Sequence, residues 1–145
     1  MKELKNLGKV TNYLFDYTSE VLEAIPNQNS DKNYFVKLTS EEFTCVCPVT
    51  HQPDFATIMV RYIPDKFLVE SKSFKLYLTS FRNTGIFHEE VANRIADDLI
   101  KLLNPRYIEV EGLFSVRGGI SIKPFVNFGR GEFEQLAKER LAKHE

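Results

Sequence analysis

The chain has 145 residues, 43% of them hydrophobic and 27% charged, with a formal net charge of −1. That length makes one domain able to bury a core without disulfides or metals, and the charge argues against nucleic acid as a bulk electrostatic partner, because phosphate binding normally shows as a basic excess. No apolar run approaches the roughly 18 residues that span a bilayer, and the polar start Met1-Lys2-Glu3-Leu4-Lys5-Asn6 lacks the apolar core of a signal peptide.

In chain order, residues 1–33 read as a surface arm. Asp16 to Glu23 has the pattern of a short helix, ended by Ile25-Pro26-Asn27, and the polar run Asn27–Asn33 is a loop by composition. Tyr34–Thr39 then alternates with a strand period, and Phe43–Cys47 resumes the extended pattern as far as Pro48. Beyond the turn at Thr50–Asp54, the β-branched and aromatic run Phe55–Ile63 is a second strand, so the two form an antiparallel hairpin.

Two helices follow. In Ser71–Phe81 the apolar positions Phe74, Tyr77, Leu78 and Phe81 share a helical face, although the alternation Phe74, Leu76, Leu78 also fits a strand. His88–Leu103 carries a stripe of Val91, Ile95, Leu99 and Leu102, closed by Pro105. A second strand pair spans Arg106–Ser115 and Gly119–Phe128, with a turn at Val116–Gly119, and Glu132–Glu145 is a helical tail. The reading is a single α+β domain over 1–145, ordered ββααββ, with helices on one face of an antiparallel sheet. Four strands leave two open edges, which a ring-shaped homo-oligomer closing into a barrel removes.

Reactive chemistry concentrates between Phe43 and Phe55. Cys45 and Cys47, the only two cysteines, are poorly spaced to bridge each other and too few for a disulfide framework, so a reducing, cytoplasmic home is the simplest reading. Cys47, before Pro48 at the mouth of a turn, is either packing or a nucleophile; Cys45, inside the strand, reads as packing. Asp54 is either a turn residue or, if buried, a proton-holding general acid. Cys45, Cys47 and His51 form a Cys-x-Cys-x3-His pattern, yet a zinc site needs further ligands that nothing else supplies as thiolate, so no metal is assigned. His88-Glu89-Glu90-Val91-Ala92 lacks the second His of the metalloprotease helix. Glu70, Ser71, Lys72 and Lys75 open the first helix, as an ordinary cap with solvated lysines or as an anion site. Glu89 either complements the helix dipole or reads a guanine-like edge. Arg117 lies in a Gly-rich turn that closes a hairpin or delivers an arginine to a phosphate.

The blocks Phe43-Thr-Cys-Val-Cys-Pro48, Gln52-Pro-Asp-Phe-Ala56, Val69-Glu-Ser-Lys-Ser-Phe-Lys-Leu-Tyr77, Ser80-Phe-Arg-Asn83, Phe87-His-Glu89 and Arg117-Gly-Gly-Ile-Ser121 together resemble the short, single-module form of the 7-cyano-7-deazaguanine reductases, the NADPH-dependent nitrile reductases of queuosine biosynthesis. The resemblance implies a tunnelling fold whose ββααββ units assemble into stacked rings, a small deazapurine substrate and NADPH as co-substrate. It implies Cys47 as the nucleophile that forms a thioimide and Asp54 as the proton donor. It places Val69, Glu70, Ser71, His88 and Glu89 at the substrate and Lys72, Lys75 and Arg117 at the NADPH phosphates. His51 stands where the family's loop is expected to carry Gly, and Cys45 is an additional thiol. The competing readings are a zinc-dependent pterin or GTP cyclohydrolase of the same fold and a non-catalytic purine-binding ring module.

Overall fold

The fold is described from a computed structural model over residues 3–10 and 12–145. The expected arm, 1–33, is thus described except at residues 1, 2 and 11, which lie outside the described residues.

The strands are β1 (Ala24–Pro26), β2 (Val36–Val46), β3 (Pro53–Ile63), β4 (Phe67–Val69), β5 (Tyr107–Phe114) and β6 (Phe125–Gly129); the helices are α1 (Ser71–Thr79), α2 (His88–Leu103) and α3 (Glu134–Ala142). Four strands make one antiparallel sheet in the order β2-β3-β5-β6, with α1 and α2 between β3 and β5 in sequence. The whole chain runs β1-β2-β3-β4-α1-α2-β5-β6-α3, so the expected ββααββ order is not its element order. The sequence reading lacked the two-stranded ribbon β1–β4.

One irregularity sets which side chains face the core. Ser40 pairs with Ile58 but Phe43 pairs with Ala56, so β2 carries one extra residue at Glu41–Glu42. A bulge of this kind shifts the two-residue alternation by one. Before it Val36 and Leu38 turn toward the core; after it Phe43 and Cys45 do, and Cys47 continues the same parity just past the strand. The two runs seen in the sequence are therefore one strand broken in phase.

The core lies between this sheet face and the two central helices. Ile58, Val60, Tyr62, Ile108 and Val110 meet Phe74, Tyr77 and Leu78 of α1 and Val91, Ile95 and Leu99 of α2. Truncating a fully buried leucine such as Leu99 to alanine costs about 2–5 kcal/mol. α1 is capped by Glu70, whose carboxylate accepts from the N–H groups of Ser73 at 2.7 Å and Lys72 at 2.9 Å. α2 ends at Asn104, in the left-handed region at φ 43°, as a C-terminal cap allows for Asn.

The helix expected within 16–23 does not form. Its N–H groups are taken by hydroxyls: Tyr17 donates to Thr84 Oγ1 (3.0 Å), Thr18 to Ser80 Oγ (3.2 Å) and Glu23 to Ser73 Oγ (3.0 Å). The hydroxyls of Tyr17 and Tyr77 both donate to Asp98 Oδ2 at 2.6 Å, binding arm, α1 and α2 together.

The last strand is shorter than Gly119–Phe128. Pro124 has no N–H to donate and the chain turns at Gly118 and Gly119, so regular pairing starts at Phe125. The tail helix α3 packs on the sheet face opposite α1 and α2, where Arg140 reaches buried Glu109. The expectation of helices on one face thus holds for α1 and α2 and not for α3. Gly129 permits this approach, because a Cβ there would meet the Phe133 carbonyl oxygen.

Candidate active site

Four segments converge on Asp54. Asp54 shares the inward alternation of Ala56 and Ile58 along β3 and pairs with inward-facing Cys45, so its carboxylate turns inward at the start of the strand, where it is 6% exposed. Asp54 Oδ2 lies 3.0 Å from His88 Nε2, and Oδ1 accepts from Arg117 Nη1 at 2.7 Å. His88 opens α2 and stacks on Phe114 with ring centroids 3.9 Å apart and planes 4° from parallel. Its Nδ1 is buried and has no hydrogen-bond partner, leaving one polar position at the site unused by the protein.

Cys47 follows β2 in a tight turn closed from both sides: its N–H donates to Gln52 O (2.8 Å) and its carbonyl accepts from His51 N–H (2.9 Å). The same end of β2 is clipped to the segment leading into α2, since Val46 N–H donates to Thr84 O and Ile86 N–H to Val46 O, both at 3.1 Å. Gly85 lets that segment in; a Cβ there would sit 3.1 Å from Pro48 Cα. The turn requires His51 to adopt φ 59°, a left-handed conformation that suits Gly better than a side chain with a Cβ.

The two thiols are driven apart chemically. Hydrogen bonding from the Thr50 hydroxyl, then from the N–H groups of Thr50 and Val49, with Arg117 adding to it, outweighs desolvation and lowers the Cys47 pKa to about 7. A thiol so placed is a nucleophile near neutral pH. Cys45 is fully buried, and burial followed by the neighbouring Asp54 charge pushes it up to about 12. It fills space in the core cluster, as its position in the strand predicts.

The other predicted residues fall outside this cluster. Glu89 is exposed in the first turn of α2, next to His88. Val69 N–H donates to Tyr62 Oη (3.1 Å), and Glu70 is occupied as the α1 cap. With Ser71, these residues line a cavity of about 270 Å³ walled also by Leu7, Ile25 and Tyr34. Lys72 Nζ donates to the carbonyls of Asn6 and Lys9, each at 2.8 Å, so it holds down the arm. Lys75 is exposed, with its ammonium 5.6 Å from the Tyr13 ring centre, and it borders a groove of about 1070 Å³ between β2 and α1. Among the described residues, no three His, Cys, Asp or Glu side chains gather into a metal-ion site, and His51 is exposed while Cys45 is buried.

Sequence reasoning placed Arg117 at a phosphate and missed that it holds Asp54, because the two are 63 residues apart. Phe114, Thr50 and Gly85 were not singled out. Each acts through another residue's position, and no residue type advertises that.

Comparison with known proteins gives consistent results. The sequence model of the family described as QueF-like protein matches residues 53–132. A protein of Bacillus licheniformis named NADPH-dependent 7-cyano-7-deazaguanine reductase is 58% identical, over 93% of this chain and 83% of its own length. Proteins of the same name from Exiguobacterium sibiricum and Bacteroides thetaiotaomicron are each 55% identical, over all of this chain and 91% and 100% of theirs. Among solved structures, the archaeosine synthase QueF-Like in its apo form aligns with a TM-score of 0.62 at 27% identity, covering 67% of this chain and 95% of that one.

Proposed function

We infer the activity from the family: this chain belongs to the QueF-like protein family, and it is an NADPH-dependent 7-cyano-7-deazaguanine reductase, converting the nitrile to the aminomethyl group of the queuosine precursor. The observation that carries the mechanism is a thiol lowered to about 7 on the same turn as a buried carboxylate held by His88 and Arg117.

In this mechanism the Cys47 thiolate adds to the nitrile carbon while Asp54 gives a proton to the nitrile nitrogen, forming a thioimide. NADPH supplies a hydride to this adduct, giving a thiohemiaminal, and a second hydride to the imine left when Cys47 departs. Cys47 serves both halves, because a thiolate attacks well and leaves well. His88 orients Asp54 and is the route by which the carboxylate regains a proton. Glu89 accepts the N–H and amino hydrogens of the guanine-like edge.

Arg117 and Lys75 fit the NADPH phosphates, since both present cationic groups to solvent. Lys72 fits only if the arm releases it. Val69, Glu70 and Ser71 belong to the substrate pocket of a site completed by a neighbouring subunit. That reading is supported by their separation from Asp54 and by the unpaired outer edges of β2 and β6. The assembly is then a ring-shaped homo-oligomer of tunnelling-fold units, at work in the cytoplasm.

The test mixes the protein with 7-cyano-7-deazaguanine and NADPH and follows NADPH absorbance and product mass. Aminomethyl product is expected; its absence from protein with intact Cys47 and Asp54 overturns the assignment. Without NADPH, a covalent adduct is expected at Cys47, and an adduct mapped to Cys45 would transfer the nucleophile's role.

A further inference from the structure

We propose that Arg117 moves between two anions: it holds Asp54 before the cofactor binds and a cofactor phosphate afterwards, so that cofactor binding releases the proton donor. The inference deepens the reductase reading and rests on Arg117 being a phosphate ligand.

Three observations support it. Asp54 has both oxygens engaged, Oδ1 by Arg117 at 2.7 Å and Oδ2 by His88 at 3.0 Å. While a guanidinium sits on Oδ1, that oxygen has no place for the proton the reaction requires. Arg117 itself stands on a free turn. Gly118 and Gly119 follow at φ 60° and 78°, nothing lies within 4 Å of a Cβ built at either, and the backbone bonds of the turn itself join Arg117 and Ile120, with its base anchored by Ser115 N–H to Phe55 O. Asp54 is fixed in the sheet, so the arginine is the partner able to leave. Finally, the guanidinium is 40% exposed and touches the reactive cluster, whereas Lys72 is occupied by arm carbonyls and Lys75 lies toward Tyr13. A guanidinium matches phosphate and carboxylate with the same planar donors, so the two anions compete for one group.

Competition of this kind is reciprocal: what weakens the Asp54 contact strengthens the phosphate contact. The probe is 2′,5′-ADP, which carries cofactor phosphates and no nicotinamide, titrated by calorimetry into the full-length protein. Asp54→Asn is expected to bind it about tenfold more tightly than the unaltered protein. Arg117→Met is expected to bind it more weakly, and the double variant to match Arg117→Met alone. If Asp54→Asn binds no more tightly, the exchange does not occur. If the gain survives in the double variant, it is simple removal of a negative charge, and the proposal also fails. Asp54→Ser removes the same charge and replaces Asp54→Asn should that variant not fold. A chain that makes aminomethyl product but shows neither effect keeps the reductase reading and loses this one.

Discussion

Nε2 of His88 lies 3.0 Å from Oδ2 of Asp54 while the same ring stacks flat on Phe114. Packing therefore fixes the imidazole plane and the carboxylate fixes its rotation. Replacing His88 with Phe keeps the stack and removes the polar contact. The thermal midpoint should change little, while the rate of adduct formation should fall by about 10²-fold, as for loss of a general acid–base partner. Rapid-mixing absorbance of the adduct measures the rate, and an unchanged rate would reduce His88 to a packing residue.

Cys47 and Cys45 should separate cleanly by reactivity. With Cys47 lowered to about 7, its alkylation rate should rise with pH and reach half its plateau near pH 7, because only the thiolate reacts. Cys45, raised to about 12 and fully buried, should react only after denaturation. Peptide mapping after graded alkylation distinguishes the two.

His51 holds φ 59° with a Cβ, at the position where the family's loop is expected to carry Gly. His51→Gly should stabilise the fold by about 0.5–1 kcal/mol, the net of relieved backbone strain and the extra freedom of glycine in the unfolded chain. Denaturant midpoints give the sign; a loss of stability would mean that the imidazole makes a compensating contact.

At Gly85 the constraint runs the other way. An added methyl meets Pro48 Cα at 3.1 Å, so Gly85→Ala should push on the turn that presents Cys47. Overpacking of this size costs about 1 kcal/mol, and displacing the Cys47 thiol should slow adduct formation by about tenfold or more. A larger loss of rate than of stability is the expected pattern.

Glu109 is fully buried and accepts from Tyr107, Arg61 and both ends of the Arg140 guanidinium. Desolvation pushes its pKa up, but the Arg140 and Tyr107 hydrogen bonds and the arginine charges overcome it, so the net shift is downward. The pair's stabilisation is thus present above the unfolded-state value of about 4.3 and is lost as pH falls through the lower folded value. Glu109→Gln should lose about 3 kcal/mol at neutral pH and show a shallower acid limb in urea unfolding.

The parts readable from the residues were those where local pattern and tertiary packing agree. The stripe Val91, Ile95 and Leu99 gave α2, and the β-branched run after Asp54 gave β3. The arm went wrong at Tyr17, Thr18 and Glu23 because hydroxyls more than sixty residues or about fifty residues away capture their N–H groups, and no local propensity contains that information. The candidate site was legible in its residue types through Cys47, Asp54, His88 and Arg117. Their mutual contacts were not, since they join a strand end, a strand start, a helix start and a turn.

The extra residue at Glu41–Glu42 lets β2 change its sequence phase without changing the face on which its core residues lie. Deleting either glutamate would leave Ser40 opposite Ile58 and Phe43 opposite Ala56 across a regular strand, with Phe43, Cys45 and Cys47 still on the core face. The position is therefore expected to tolerate the loss of one residue, whereas a deletion within Phe43–Cys47 would turn Phe43 or Cys45 onto the opposite face.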